Sequence, residues 1–407
     1  MRPIVPWCRG AAHGLLVVFA ACSSDNTGTL VTFEPEESDD PSAPIADTIP
    51  GVGPAVFTGE GFEIVPIVED LERPWGLAFL PGGGLLVTER DDGRLWEVWD
   101  GQRADEPVAG VPDVRPQGQG GLLDVALHPD FGTNRWVYLS YATWTEAGAG
   151  TTAVARGRLE DGALVGTQEI FKAEVADMPM DAHFGSRLAF DHSGFLYVTI
   201  GDRRSPERSQ NPSDHHGTVV RLLDDGAVPE DNPFRGDTDA LESVFVYGVR
   251  NPQGLTIHPE TGDVYWSEHG PLGGDEINRG KAGANYGWPA ITHGRNYDGT
   301  PVSDKTDAPG MEQPLIHWEP SIAPSGLAFY TGNAFPEWRG DLFTGALADR
   351  TLVRIDVNEG RAVGWQALMG DPWGRRVRDV RDGPDGFLYI LTDEVRGGVY
   401  RLQPISD

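Results

Sequence analysis

Residues 186–199 read SRLAFDHSGFLYVT: an apolar strand, a turn from Asp191 to Gly194, and a second apolar strand that ends on Thr199. The alternating apolar positions and the turn residues are typical of a β-hairpin. The same phrase, often opened by Gly-Leu, recurs along the chain. Its six copies span residues 75–89, 121–140, 186–199, 253–268, 325–345 and 378–392.

The spacing of the copies decides the fold class. They start roughly 50 to 70 residues apart, which is enough for a four-stranded blade and its loops. Recurrence on this scale is a signature of repeat architectures, and a β-sandwich would not need one phrase six times. We therefore predict an all-β, six-bladed β-propeller with four-stranded antiparallel blades and long upper-face loops. To close the ring, the last strand, 397–402, should pair with a strand near 62–68.

Composition limits the partners. The formal net charge is −30, which argues against nucleic acid because phosphate backbones need patches of Lys and Arg. An anionic cofactor would have to be held by local basic groups against the overall negative charge of the protein. Both cysteines, Cys8 and Cys22, precede the repeats, so we expect no disulfide and no cysteine metal site in the folded body.

The N-terminal residues predict export. Arg2 and Arg9 precede a short apolar run at 15–21, as in a secretory signal, and the run is too short to span a bilayer. The run ends in Ala-Ala followed by Cys22, which resembles a bacterial lipobox. We predict a lipoprotein-type signal peptide at 1–22 with acylation of Cys22; a plain cleaved signal is the alternative.

The remaining chain divides into two predicted segments. Residues 23–54 are rich in Ser, Asp, Glu, Thr and Pro, a composition that predicts a disordered acidic tether. Residues 55–407 should form the catalytic propeller. The expected location is beyond the inner membrane, either periplasmic or anchored to the outer membrane, and the membrane is reached only through the lipid at Cys22.

Polar residues stand just before the first strand of four repeats. In a propeller these positions converge on one axis. A histidine there suits general-base chemistry, although a lone histidine is more often structural. An amide can both donate and accept, and Arg-Asn before a rigid Pro fixes two donors for a carboxylate or a quinone oxygen. The residues are Gln119, His183, Arg250, Asn251, Arg376 and Arg378.

The three arginines among these candidates have alternative structural roles. Arg250 could simply brace its loop. Arg376 and Arg378 alternate, so in a strand they share one face and could bind an anion. They could instead form surface salt bridges with Asp379 and Asp382.

Residues 268–289 combine carboxylates with Gly and Pro turns whose carbonyls can point inward. Calcium takes six to eight oxygen ligands, including backbone carbonyls, but the spacing is not that of an EF-hand. From the residues alone, calcium is one possibility among others here.

At this point the sequence resembles the soluble PQQ-dependent glucose/sorbosone dehydrogenase family, in particular its aldose sugar dehydrogenase branch. The resemblance runs from about Leu71 to Leu402. It is carried, in order, by GQGGLL at 118–123, HFGSRL at 183–188, TIGD at 199–202, RNPQG at 250–254, GDEIN at 274–278, NYGWP at 285–289, PSGL at 324–327 and RVRD at 376–379.

The resemblance implies a reaction and roles. His183 would take the proton from the anomeric hydroxyl of an aldose while hydride passes to pyrroloquinoline quinone (PQQ), giving a lactone. Arg250 would stabilise negative charge on the quinone oxygen. Cofactor contacts are implied for Gln119, Arg250, Asn251, Arg376 and Arg378. The carbonyls of Gly270 and Pro271 would hold a calcium ion that bridges PQQ, and Glu276 and Tyr286 would belong to a further calcium site.

Two positions depart from the family pattern. A cofactor-binding lysine of the glucose-oxidising relatives falls at Ala348, so one contact to a PQQ carboxylate is missing unless Arg350 replaces it. The acidic residue expected before the histidine is Ala182, with Asp181 one residue earlier. Both changes bear on the strength of PQQ binding and on the catalytic base.

Two other functions stay open at this stage. A metal-dependent lactone hydrolase would need several carboxylates around the channel, where this sequence has Arg and Gln. A non-catalytic surface-binding propeller is the third possibility. For the dehydrogenase, the substrate would be a small-molecule aldose and the electron acceptor a quinone or a cytochrome.

Overall fold

The structure, a computed structural model, describes residues 49, 53–145, 148–175 and 181–405. Two strands come first, β1 (Phe57–Thr58) and β2 (Phe62–Leu71). Blade 1 contains β3 (Pro74–Leu80), β4 (Gly84–Glu89), β5 (Arg94–Trp99) and β6 (Gln102–Arg103). Blade 2 contains β7 (Leu122–Leu127), β8 (Trp136–Trp144), β9 (Gly150–Glu160) and β10 (Ala163–Lys172). Blade 3 contains β11 (Leu188–Phe190), β12 (Leu196–Ile200), β13 (Thr218–Leu222) and β14 (Val244–Tyr247).

The second half of the chain repeats this arrangement. Blade 4 contains β15 (Pro252–Ile257), β16 (Val264–Glu268), β17 (Asp275–Arg279) and β18 (Ile316–Trp318). Blade 5 contains β19 (Pro324–Phe329), β20 (Leu342–Ala346), β21 (Thr351–Asn358) and β22 (Arg361–Ala367). The last strands are β23 (Val377–Asp382), β24 (Leu388–Thr392) and β25 (Gly397–Pro404). Helix is limited, in the described residues, to α1 (Phe131–Asn134) and two 3-10 turns, Pro206–Gln210 and Pro336–Trp338.

The sheet order confirms the predicted propeller. Five blades are four-stranded and antiparallel, and each follows chain order from the inside outward. The sixth sheet has the order β1-β2-β25-β24-β23, so the N-terminal strands complete the blade that the C-terminal strands begin. Ile64 pairs with Leu402 and Val68 with Val399. The predicted ring closure is confirmed, and this pairing continues beyond the predicted limits to Pro404.

The Gly and hydroxyl positions of the repeated phrase have a structural reason. Hydroxyls near the end of a blade's second strand donate to carbonyls of the next blade: Thr88 to Leu123 (2.6 Å) and Ser267 to Ser325 (2.6 Å). A Cβ on Gly254 would lie 2.4 Å from that same Ser325 oxygen. Neighbouring blades thus approach too closely for a side chain, and this explains why Gly-Leu opens the phrase.

Apolar side chains fill the space between blades. In one cluster Leu86 and Leu95 of blade 1 pack with Val125, Val137 and Leu139 of blade 2, all 0–1% exposed. Burial of each such side chain contributes roughly 1.5–3 kcal/mol before entropy is counted. The first strands of all six blades surround a cavity of about 540 Å³ at one end of the channel.

A buried charge cluster crosses the channel. Arg187 lies 3.2 Å from Asp124 and 3.1 Å from Asp379, and Arg381 lies 2.7 Å and 2.8 Å from the same carboxylates. The two positive and two negative groups balance, as buried charges require. Arg187 also donates to the carbonyls of Gln253 and Arg378, which ties blade 3 to blades 4 and 6.

The predicted signal peptide, with Cys22, and nearly all of the predicted tether lie outside the described residues. Ile49 falls within the tether prediction and is buried, 2% exposed, in a cluster with Ile67 and Val68. None of the helices in the described part of the chain is long and apolar enough to cross a membrane.

Candidate active site

A cavity of about 300 Å³ lies where the first strands of the blades begin. Four of the predicted residues line it: Gln119, Asn251, Arg376 and Arg378. His183 and Arg250 adjoin this lining, because Phe184, Gly185 and Asn251 are part of it. The structure thus brings four of the six predicted pre-strand residues to one cavity and places the other two, His183 and Arg250, beside its lining.

His183 is buried, 8% exposed, and its ring is fixed from behind. Its Nδ1 lies 2.6 Å from Oδ1 of Asp202, and its backbone N–H donates to Oε1 of Gln119 (2.8 Å). The backbone φ of His183 is +56°, an uncommon conformation for a non-glycine residue that is found at functional sites. Since Nδ1 faces a carboxylate, Nε2 is left as the proton acceptor.

The electrostatics of this pair favour a neutral imidazole. Burial lowers the pKa of His183, more than the hydrogen bond and charge of Asp202 raise it. Burial by itself would raise the pKa of Asp202 and is the largest single effect. The hydrogen bond and charge of His183, with the charge of Arg250, together outweigh burial, so the pKa lies below its ordinary value. An ionised Asp202 beside a neutral His183 is the arrangement of a general base with its orienting carboxylate.

Asp202 is held in turn by three further hydrogen bonds, two donated to its carboxylate and one donated by its own backbone N–H. The indole Nε1 of Trp288 donates to Oδ2 (2.9 Å), and the backbone N–H of Arg204 donates to Oδ1 (2.8 Å). Its own backbone N–H donates to the Arg250 carbonyl (2.7 Å). The carboxylate has little freedom to rotate away from His183.

Arg250 is 6% exposed and turned toward the loop that follows β16. Its Nη1 donates to the carbonyls of His269 (2.9 Å) and Gly270 (2.7 Å). The guanidinium also lies 5.3 Å from the centre of the Trp288 ring. Arg250 thus braces a loop, as the alternative stated, and its charge also lies beside the His183–Asp202 pair, where it contributes to the pKa of both groups.

Arg376 and Arg378 both reach Asp393. Arg376 lies 3.1 Å and Arg378 3.0 Å from Oδ2 of this carboxylate, and Arg378 also donates to Gln253. The alternative of surface salt bridges with Asp379 and Asp382 is wrong, because Asp379 pairs with the channel arginines and Asp382 accepts from Thr331. Burial opposes ionisation of Asp393, but the two arginines dominate and its pKa is lowered.

Blade 1 contributes two further arginines, Arg73 and Arg90, to the lining. Both bind Asp91 through Nε, at 2.9 Å and 2.7 Å. The sequence prediction missed them. Arg73 stands directly before β3, in the same pre-strand position that singled out the other candidates, so the signal was present in the first repeat.

A smaller cavity of about 10 Å³ lies beside the main one. Its lining includes Gly270, Glu276 and Tyr286, three of the four predicted metal residues, and also Glu268. Burial and then repulsion from Glu268 raise the pKa of Glu276 to about 8, and burial raises that of Glu268 to about 7. The amide of Asn278 donates to both carboxylates (2.9 and 3.1 Å).

These groups fit a hard cation. The cavity has about the volume of one water-sized probe, and Oδ1 of Asn278 is buried without a hydrogen-bond partner in the described structure. The Tyr286 hydroxyl is already used by the Arg279 carbonyl and the Lys281 amide, so only its carbonyl could be a ligand. No cluster of three or more His, Cys, Asp and Glu suited to a metal occurs in the described residues; a calcium ion would therefore depend on carbonyls such as those of Gly270 and Pro271.

Known proteins match this chain over the whole propeller. A family model described as glucose/sorbosone dehydrogenase matches residues 71–401. The aldose sugar dehydrogenase YliI of Escherichia coli is 42% identical over 348 residues, which cover 84% of this chain and 92% of that protein. The chain belongs to the glucose/sorbosone dehydrogenase family. It is an oxidoreductase, as the resemblance in sequence indicated.

Solved structures of family members agree with the fold. A crystal structure of a glucose dehydrogenase is 44% identical with a TM-score of 0.81, covering 84% of this chain and 99% of that one. The PQQ-bound form of an aldose sugar dehydrogenase from Streptomyces coelicolor is 27% identical with a TM-score of 0.69, covering 85% of this chain and all of that one (100%).

The two departures from the family pattern have different outcomes in the structure. The carboxylate that orients His183 comes from Asp202, so Ala182 does not leave the base without one. Ala348 is exposed, and Arg350 donates to the Gly374 carbonyl (2.9 Å) and is absent from the lining of the main cavity. The expectation that Arg350 could replace the lysine gains no support.

Proposed function

We propose that this family member binds PQQ in the main cavity, with calcium held beside it, and oxidises aldose sugars to lactones. The observation that carries the proposal is the cavity itself: four arginines and three side-chain amides line it, next to a neutral histidine held by an ionised carboxylate. Its volume of about 300 Å³ lies at the lower end of the range for small-molecule sites.

The charge of the lining suits this cofactor. PQQ carries three carboxylates, and arginine forks bind carboxylates in bidentate geometry. Gln119 and Asn251 add amide groups that can donate and accept. The PQQ-bound structure of the Streptomyces coelicolor relative supports the same cofactor. When bound, PQQ would supply a two-electron oxidant that accepts hydride, a chemistry that no side chain offers.

The chain's own residues perform the proton transfer. Nε2 of His183 would accept the proton of the anomeric hydroxyl as the hydride leaves the anomeric carbon, so that a carbonyl forms and the product is a lactone. Asp202 stabilises the resulting imidazolium, and Arg250 fixes positive charge beside the site where negative charge grows. Gly270 and Pro271 would hold calcium as a Lewis acid, and Glu276 with the Tyr286 carbonyl would hold a second ion.

Reconstitution tests the proposal. Purified apo-protein given PQQ and calcium should reduce a dye when an aldose is added, and His183→Ala should lower turnover by several hundredfold or more. His192→Ala, in an exposed turn, is the matched control. Wild-type protein that binds no PQQ, or binds it without dye reduction across a panel of aldoses, would contradict the proposal. A loss below threefold in His183→Ala would remove this residue from the reaction.

The structure favours neither alternative function. A metal-dependent lactone hydrolase needs several carboxylates at the channel, but Asp393 is the one carboxylate in the described lining of the main cavity and it is paired with Arg376 and Arg378. A non-catalytic propeller would have no need of the His183–Asp202 pair.

For location we propose export and acylation of Cys22, which would anchor the protein in a membrane by its lipid alone. A quinone or a cytochrome would accept the electrons. Cys22→Ser should move the protein from the membrane fraction to the soluble fraction and abolish labelling with a fatty-acid probe. Unchanged labelling would contradict acylation at this residue.

A further inference from the structure

The cations of the main cavity are unevenly placed. Blade 6 contributes Arg376 and Arg378, and blade 1 contributes Arg73 and Arg90. Among the described residues, blade 5 contributes Ala323 and Leu347 to the lining, and both are apolar. His269 adds no charge, because burial lowers its pKa to about 3. A polyanion in this cavity would therefore be held from blades 6 and 1.

The two blade 1 arginines are fixed in place by their backbones. Arg90 donates its N–H to the Arg73 carbonyl (3.2 Å), and its own carbonyl accepts from Leu122 of blade 2 (3.1 Å). A Cβ on Gly121 would lie 2.1 Å from that carbonyl. Arg73 donates its N–H to the Glu394 carbonyl in blade 6 (3.1 Å). Three blades thus position this pair.

The side chains of this pair are held at one end and open at the other. Asp91 binds both at Nε, and no described residue makes a hydrogen bond to the terminal nitrogens of either guanidinium. Their side chains are 33% and 13% exposed. By contrast, Arg376 and Arg378 already share Asp393. The terminal nitrogens of Arg73 and Arg90 are thus available to a ligand.

We propose that Arg73, together with Arg90, forms a clamp for one carboxylate of the cofactor on the blade 1 side of the cavity. This assignment rests on the proposed function. The clamp would compensate for the absence of a cation from blade 5 in the described lining, since Ala348 is uncharged and Arg350 donates to the Gly374 carbonyl instead. Asp91 acts as the positioning residue that aims both forks.

Equilibrium binding tests the clamp without any need for turnover. Apo-protein in calcium is titrated with PQQ, and the quenching of tryptophan fluorescence is followed, since Trp75 lines the cavity. Arg73→Gln and Arg90→Gln should each weaken PQQ binding about tenfold, as expected for loss of a charge-assisted hydrogen bond at a partly exposed site. Arg73→Lys should recover part of the loss.

Two matched variants sharpen the result. Arg94→Gln removes an arginine of the same blade that pairs with Asp92 outside the cavity, and it should bind PQQ as the wild type does. Ala348→Lys should restore affinity to Arg73→Gln. Unfolding midpoints of all variants should match the wild type, because neither clamp arginine belongs to the apolar clusters that hold neighbouring blades together.

The outcomes separate the two proposals. If the wild type binds PQQ and both Arg73→Gln and Arg90→Gln bind it within twofold of Arg94→Gln, the clamp is wrong and the proposed function stands. If the wild type binds no PQQ, the proposed function and the clamp are both overturned.

Discussion

Replacement of Asp202 by Asn would test the base most directly. Oδ1 accepts from His183 and from the Arg204 amide, and Oδ2 accepts from Trp288. An asparagine has one oxygen for these two positions, so whichever way it turns, its NH₂ group meets a donor. It either faces Trp288, or faces Arg204 and forces His183 into the wrong tautomer.

The loss of the Asp202 negative charge sets the size of the expected decrease in rate. Two unit charges about 4 Å apart interact by about 4 kcal/mol at an effective dielectric constant of about 20, equivalent to about a thousandfold in rate. Since the imidazolium is only partly formed in the transition state, we expect kcat to fall about 100- to 1000-fold. PQQ affinity should stay near wild type, because Asp202 does not line the main cavity.

The pH profile provides a second readout. The charge and hydrogen bond of Asp202 raise the pKa of His183 against the larger effect of burial. Without the carboxylate this pKa falls further, so the acid limb of the kcat profile should move to lower pH. Dye reduction by PQQ-loaded protein from pH 4 to 9 measures both effects. Asp181→Asn is the matched control, since its residue lies two positions before His183 in the sequence. A larger loss in Asp181→Asn, or an unmoved acid limb in Asp202→Asn, would refute the assignment.

Three further predictions follow from the packing and the charges. Gly254→Ala should lower the free energy of unfolding by about 1–3 kcal/mol, because the new Cβ would lie 2.4 Å from the Ser325 carbonyl. Gly364→Ala, whose Cβ would meet nothing within 4 Å, should leave it unchanged. Equal unfolding midpoints for the two variants would contradict the close contact between blades. Arg187→Leu should lower the free energy of unfolding by about 3–5 kcal/mol, measured by chemical denaturation, because it leaves the negative charges of Asp124 and Asp379 only partly balanced. A loss below about 1 kcal/mol would show that the cluster tolerates an unpaired charge. After metal chelation, the free energy of unfolding should fall from pH 5 to 8, because Glu268 and Glu276 have folded pKa values of about 7 and 8, above their unfolded values, so that folding favours their protonated forms. Added calcium should remove this fall. A free energy of unfolding that does not change with pH in the absence of calcium would contradict the burial of these two carboxyl groups side by side.

The fold could be predicted because its signal is local and repeated. Each hairpin is marked by turn residues and alternating apolar positions, and the Gly-Leu that opens it marks a close approach between blades, as at Gly254. Ring closure was also predictable, since a propeller with a C-terminal strand near 397–402 needs a partner from the N-terminus. What the sequence could not show was which polar side chains pair with one another, because partners such as Arg376 and Asp393 meet only once their hairpin has folded.

Apart from Arg73, the missed residues share one geometric feature. In an antiparallel hairpin the end of the second strand lies beside the start of the first, so residues just after the second strand face the same cavity as those just before the first. Arg90 follows β4, His269 follows β16 and Asp393 follows β24, and all three line the cavity. Asp202 stands two residues beyond the end of β12 and holds His183.

Function in this propeller is therefore carried by two rings of positions, of which only the pre-strand ring was compared from blade to blade in the sequence. The pre-strand ring supplies the groups that would contact a ligand, among them Arg73, Asn251 and Arg376. The post-strand ring supplies carboxylates that hold two of these groups, since Asp393 pairs with Arg376 and Asp202 pairs with His183. It also supplies Arg90, which lines the cavity and belongs to the proposed clamp. A ligand-contacting residue and its partner are thus brought together by the hairpin or by the ring of blades, although they are 17 or 19 residues apart in sequence. Because the blades fix both rings, a substitution in either ring changes the orientation or charge of a functional group without changing the fold.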